Sequence, residues 1–156
     1  MSLKAYTGKT RVRSCGLLIE ENKILLVKLK SPVKNKEVWL APGGGVAFGE
    51  TLSETLLREF EEETGLKISV EKLVHINELI EPPFHAIEFY FLVNRTTGKM
   101  SLGTDPEHSD QEQILQKLQF FSQEEIRSIE VAPDYLKNEL WVQKSAGFKA
   151  IEVYQV

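Results

Sequence analysis

The stretch "PGGGVAFGETLSETLLREFEEETGL", Pro42 to Leu66, constrains this chain more than any other. It places three consecutive glycines ahead of a helix-forming run that ends among Glu59, Glu61, Glu62 and Glu63. Leu52, Leu56 and Phe60 recur at four-residue spacing, so the run carries one apolar stripe and must lie against a core. Thr51 followed three residues later by Glu54 fits a capping box, and Gly65 fits the left-handed position past a helix end. The spacing therefore predicts a helix that starts just after Thr51 and stops at Gly65.

Residues three and four apart share a helix face, so Glu59, Glu62 and Glu63 converge while Leu56 and Phe60 turn inward. Carboxylates left uncompensated at that spacing would each cost about a few tenths of a kcal/mol. Two arrangements relieve this: a solvated face with pairs such as Arg58 to Glu62, or a bound hard cation. The glycines favour the second. A surface helix needs no glycine run before it, whereas a metal and phosphate site needs a tight loop whose backbone can approach a ligand closely. Mg²⁺ prefers oxygen donors and keeps water and phosphate in its shell, and no His or Cys cluster points to zinc.

The rest of the chain surrounds that device with short apolar runs. Its 156 residues, 42% apolar and 27% charged, fit a single globular domain over 1–156. Val12 to Ile19 and Lys23 to Lys28 read as a hairpin across the turn "EEN". "KLKSPVKNKEV" reads as an exposed loop, its Lys28, Lys30, Lys34 and Lys36 being solvated or reaching a substrate phosphate. Trp39 and Leu40 form a short strand. Lys67 to Ile80 is strand-rich, Pro82 and Pro83 make a turn, Ala86 to Val93 is a strand, and "RTTGK" is a turn. Residues 102–113 read as a surface loop, Leu118 to Phe121 as core, and Ser122 as the cap of a short helix. Pro133 to Lys144 reads as a terminal amphipathic helix, with Tyr135, Leu136, Leu140 and Trp141 on one side. The stretch 148–156 can add a further strand, to this sheet or to that of a second copy in a homodimer, or remain a disordered tail.

Several classes are excluded. The net charge of −4 opposes nonspecific binding to nucleic-acid backbones. Apolar runs stop far short of the roughly 20 residues that cross a bilayer, and the N-terminus carries no apolar region of signal-peptide length. The expectation is a cytoplasmic protein with no membrane partner. Cys15 is the single cysteine, so no intramolecular disulfide forms, and its place in an apolar strand predicts a buried, inert thiol.

Gly44, five residues, Glu50, seven residues, Arg58, Glu59, Phe60, one residue, Glu62, Glu63, one residue, Gly65 and Leu66 together match the full motif of the Nudix hydrolase family, which the chain therefore resembles. Seven fixed identities and two apolar positions arise by chance at a given start on the order of once in a billion. The preceding "WLAPGG" and the later "QFFSQEEI" also resemble family features. The resemblance implies an α/β fold, an α/β/α sandwich around a mixed β-sheet, and hydrolysis of a nucleoside diphosphate linked to another group. It implies that Glu59, Glu62 and Glu63 hold Mg²⁺, or Mn²⁺ in its place, with a main-chain oxygen near Gly44 also coordinating. It implies too that Glu59 or Glu62 activates the water, that Arg58 orients the carboxylates, that Glu50 braces the loop, and that Gly65 closes the helix.

The match is not uniform. Ala47 stands where many members carry a further glutamate, which removes one carboxylate from the loop. Many members add an acid from a later loop, for which Asp105, Glu107, Asp110 and Glu112 are candidates and Glu112 is the choice. Pro82, sixteen residues after Leu66, resembles the ADP-ribose pyrophosphatase subgroup, although a Pro-Pro pair also makes a rigid turn. His85 and Glu88 flank an apolar strand, where either can face a pocket. Trp39, Phe84, Tyr90 and Phe120 can stack on a base or pack the core, and none is assigned. The nucleotide-type substrate is thus expected but not named, and the alternative is a Nudix-fold module that binds nucleotide without hydrolysing it.

Overall fold

The computed structural model describes residues 7–30, 36–103 and 115–156. Strand β1 (Thr10–Glu20) turns back into β2 (Lys23–Lys30) through Glu21 and Asn22, both with positive φ, the backbone that suits a two-residue hairpin turn. The two strands pair only beside that turn, at Ile19 with Ile24 and Glu20 with Lys23. Beyond it they splay. β2 takes β3 (Glu37–Leu40) and β7 (Leu115–Ser122) as antiparallel partners, while β1 takes β4 (Gly43–Gly45) antiparallel and β6 (Phe84–Gly98) parallel.

The chain crosses the gap through Ala41 and Pro42, and the Pro42 carbonyl accepts from the Gly16 N–H at 2.8 Å. Strand β5 (Leu66–Glu81) completes a mixed seven-stranded sheet ordered β3-β2-β1-β6-β5, with β4 and β7 beside β1 and β2.

Side chains alternate across a strand, and both faces of this sheet are covered. Cys15 and Leu17 of β1 and Ile24 and Leu26 of β2 join one core. Its other wall is α2 (Gln123–Ile126), a 3-10 turn (Asp134–Leu136) and α3 (Glu139–Ala146). Leu18 and Leu25 face the opposite core, where α1 (Leu52–Thr64) seats Leu56 and Phe60, both fully buried. Helices on two faces of a mixed sheet are the α/β sandwich expected.

The helix ends fall where the sequence placed them. Thr51 and Glu54 cap each other reciprocally, and Gly65 closes α1 at φ 74°. Ser122 and Glu125 form a second capping box at α2.

Three expectations are corrected. The glycines form strand β4, not a loop, because Arg13 to Cys15 supplies a free edge for them. Arg95 to Gly98 continues β6 instead of turning, since the chain leaving Gly65 pairs Leu66 with Gly98 and Lys67 with Thr97. The span from Pro133 to Lys144 is a 3-10 turn and a separate helix, because Asn138 leaves helical geometry at φ −126° and ψ −71°. All four expected apolar residues are still buried, and the Trp141 indole N–H donates to the Leu136 carbonyl across the break.

In the stretch 148–156, Ile151 makes one antiparallel bridge to Leu73 at the edge of β5. Ser31, Pro32, Lys34, Asn35 and the expected loop from 104 lie outside the described residues. Cys15 is buried, and burial first of all pushes its thiol up to about 12, which leaves it protonated at neutral pH. No helix among the described residues is long and apolar enough to cross a membrane.

Candidate active site

Strand β4 and helix α1 together assemble the acid cluster. Gly44 aims its missing side chain at α1, and a Cβ there would fall on the Glu59 carboxylate. Only glycine leaves that carboxylate its place beside the strand. The ladder between β1 and β4 bonds Gly16 to Pro42 and Val46 to Val12. By the alternation of antiparallel pairs, Gly44 turns its own N–H and C=O toward Ser14, while Gly43 and Gly45 turn theirs to the opposite edge. There the Gly43 N–H donates to Glu63 Oε1 at 3.3 Å. Among main-chain oxygens near Gly44, those of Gly43 and Gly45 therefore face away from β1.

Arg58 occupies the centre of the remaining acids. Its Nε and Nη2 each donate to the Glu50 carboxylate at 3.0 Å, in a two-point fork. Its Nη1 donates to Glu59 at 2.8 Å and to Glu62 at 3.4 Å. Thr55, buried on the same helix, adds a 2.6 Å hydrogen bond to Glu50. The Arg58 and Thr55 hydrogen bonds hold the Glu50 carboxyl down at about 2, and Glu50 above all holds Arg58 charged. One cation thus relieves the repulsion that the sequence raises, and it spans Glu50, Glu59 and Glu62.

Burial grades the acids. The Glu59 side chain is 15% exposed and that of Glu62 32%. Glu63 is buried beside the glycine strand. No three acid, His or Cys side chains among the described residues are arranged to hold a metal ion: Arg58 engages Glu59 and Glu62, and the Gly43 N–H engages Glu63. The donor set nevertheless suits a hard cation: three carboxylates from one helix and main-chain carbonyls from a strand without side chains, all oxygen. Asp105, Glu107, Asp110 and Glu112 lie outside the described residues.

A second polar group lies on the other face of the sheet. Arg13 and Glu88 form an ion pair with side chains 18% and 6% exposed, and Asn77 donates to the other Glu88 oxygen at 2.9 Å. The sequence raises Glu88 as a pocket residue but offers no sign of Arg13, because their pairing depends on β1 lying parallel to β6 across 75 positions of chain. His85 is more exposed and contacts Thr10 and Glu78. Trp39 and Tyr90 belong to the core, Phe120 packs partly against the α1 side, and Phe84 is half-buried.

The sequence model of the family described as "NUDIX domain" matches residues 9–142. An "ADP-ribose pyrophosphatase" of Methanocaldococcus jannaschii is 36% identical over 98 residues, covering 61% of this chain and 57% of that protein. An "8-oxo-dGTP diphosphatase" of Buchnera aphidicola is 34% identical over 86 residues, covering 54% of this chain and 64% of that protein. The chain thus spans less than two thirds of the length of these curated relatives. Among solved structures, a "NUDIX hydrolase from Nitrosomonas europaea" superposes with a TM-score of 0.73 over 94% of this chain and 98% of that one. At 21% identity, that likeness concerns the fold alone.

Proposed function

The chain belongs to the NUDIX domain family, and from that membership we propose that it hydrolyses the diphosphate linkage of a nucleoside diphosphate joined to another group, with Mg²⁺ as cofactor. The observation that carries this reading is the acid face of α1, with Glu59, Glu62 and Glu63 set against the glycine strand and Arg58 fixing two of them. An intact set of acids also favours hydrolysis over simple nucleotide binding, which has no need of every one.

Glu59, Glu62 and Glu63 would hold the cation, with a main-chain oxygen from the β4 edge, where Gly43 faces Glu63. When bound, Mg²⁺ supplies charge neutralisation on the phosphate oxygens and lowers the pKa of a ligated water. The protein's own contribution is position. Arg58 fixes Glu59 and Glu62, Glu50 and Thr55 lock Arg58, and Gly44 leaves room for Glu59. Glu59 or Glu62 would take the water's proton. The water oxygen bonds to one phosphorus and stays on it, the bond from that phosphorus to the bridging oxygen breaks, and the leaving phosphate departs with the bridging oxygen.

ADP-ribose is the first substrate to test, supported by the name of the Methanocaldococcus relative and by Pro82. 8-oxo-dGTP, from the name of the Buchnera relative, is the second. In the assay, Glu62→Gln should lower Mg²⁺-dependent turnover at least about tenfold. Full activity in that variant would show that the face is only a solvated surface.

A further inference from the structure

The glycine strand has a second face, and it carries charge of the opposite sign. Gly44 points at Glu59, so Gly45 points to the other side of the sheet. A Cβ at Gly45 would lie 3.1 Å from the Arg11 Nη2, which places that guanidinium directly over the strand. Arg13 is in register with Gly45 on β1, and odd-numbered β1 side chains share this face. A single strand without side chains therefore separates the acids of α1 from two arginines.

Arg13 is held from below. Glu88 accepts from Arg13 on Oε2 and from Asn77 on Oε1, and the Tyr90 hydroxyl also donates to Oε1 at 3.4 Å. The carboxylate accepts three hydrogen bonds, whereas a guanidinium has five N–H donors and Glu88 engages one nitrogen. A buried ion pair among apolar neighbours adds little net stability over a hydrophobic replacement. Cys15, Leu17, Tyr90 and Leu92 on this same face would accommodate one. Such a pair does fix the direction of a charge. Burial opposes that charge, but the carboxylates of Glu88 and Glu63 hold Arg13 ionised, so it stays cationic beside the acid cluster.

We propose that Arg13, with Arg11 across Gly45, grips a phosphate of the substrate from the face of β4 opposite the acid helix, and that Glu88 is the residue that positions Arg13. A diphosphate laid over the β4 edge then meets cation-binding acids on one side and guanidinium donors on the other. Arginine suits this task because its planar fork matches two phosphate oxygens. The inference rests on the nucleoside-diphosphate reading for its substrate class.

The test is equilibrium binding of α,β-methylene-ADP to the whole protein, with Mn²⁺ binding followed by electron paramagnetic resonance as a separate readout. Arg13→Gln should weaken the analogue at least about tenfold and leave Mn²⁺ affinity unchanged, while Arg13→Lys, which keeps the charge but not the fork, recovers only part of the loss. In turnover, the Arg13→Gln loss should fall on KM and not on kcat. A folded Arg13→Gln protein that binds the analogue as tightly as wild type overturns the inference. If that variant does not fold, Arg11→Gln carries the same test, with weaker analogue binding expected and wild-type binding overturning the proposal. A wild-type protein that cleaves no substrate but binds the analogue through Arg13 contradicts the hydrolase reading alone. Hydrolysis of ADP-ribose with KM and affinity unchanged in Arg13→Gln contradicts this inference alone.

Discussion

Glu50 accepts two hydrogen bonds from Arg58 and one from Thr55, and none of these contacts is with a group expected at the reacting phosphate. Its depressed pKa sets the sign of a pH effect. A carboxyl lowered from 4.5 to about 2 contributes stability that is fully present above 4.5 and is lost as pH falls through about 2. Glu50→Gln should therefore melt below wild type at pH 6, and thermal melts should show that gap shrinking below pH 4.5 and closing near pH 2. A gap independent of pH would mean that Glu50 acts through shape and not charge. At this scale the sequence was most legible: the residue types and spacing of Arg58, Glu59, Glu62 and Glu63 place them within two successive turns of one helix. The spacing could not show that Arg58 reaches back eight positions to Glu50, because that contact depends on how the chain enters the helix.

Helix α1 and strand β4 work as a pair, one presenting acids and the other giving them room. The capping box makes α1 self-limiting, and Thr51→Ala should cost about 1 kcal/mol in denaturant unfolding. Gly44→Ala should behave differently. Its methyl group would displace the Glu59 carboxylate, so turnover should fall by up to about a hundredfold, the scale at which small misplacements act. Kinetics beside a melting curve would separate this from a general loss of stability. Both ends of α1 were legible because caps are local chemistry. β4 was not, since three glycines carry no strand pattern and become a strand only where β1 offers an edge. The same reason hid the end of β6, whose polar Arg95 to Gly98 reads as a turn until Leu66 to Ile68 pairs with it.

At the scale of the whole molecule, one strand organises both faces. β1 sends Cys15 and Leu17 toward α3 and Leu18 toward α1, and its partners β4 and β6 carry the glycines and Glu88. The mixed α/β class was legible through the family motif, which occupies Gly44 to Leu66. The splayed hairpin and the parallel pairing of β1 with β6 were not, because residues 75 positions apart meet there. Arg13 became visible only once that pairing was known. The central claim is that this sheet holds acids and substrate together for hydrolysis of a diphosphate. Phosphorus NMR of ADP-ribose incubated with the purified chain tests it most directly. With Mg²⁺ the paired diphosphate resonances should give way to two phosphomonoester signals, from AMP and ribose 5-phosphate, and chelation should stop the change. ADP-ribose diphosphate resonances that persist with Mg²⁺, together with 8-oxo-dGTP triphosphate resonances that do not give way to those of the monophosphate and pyrophosphate, would contradict the account.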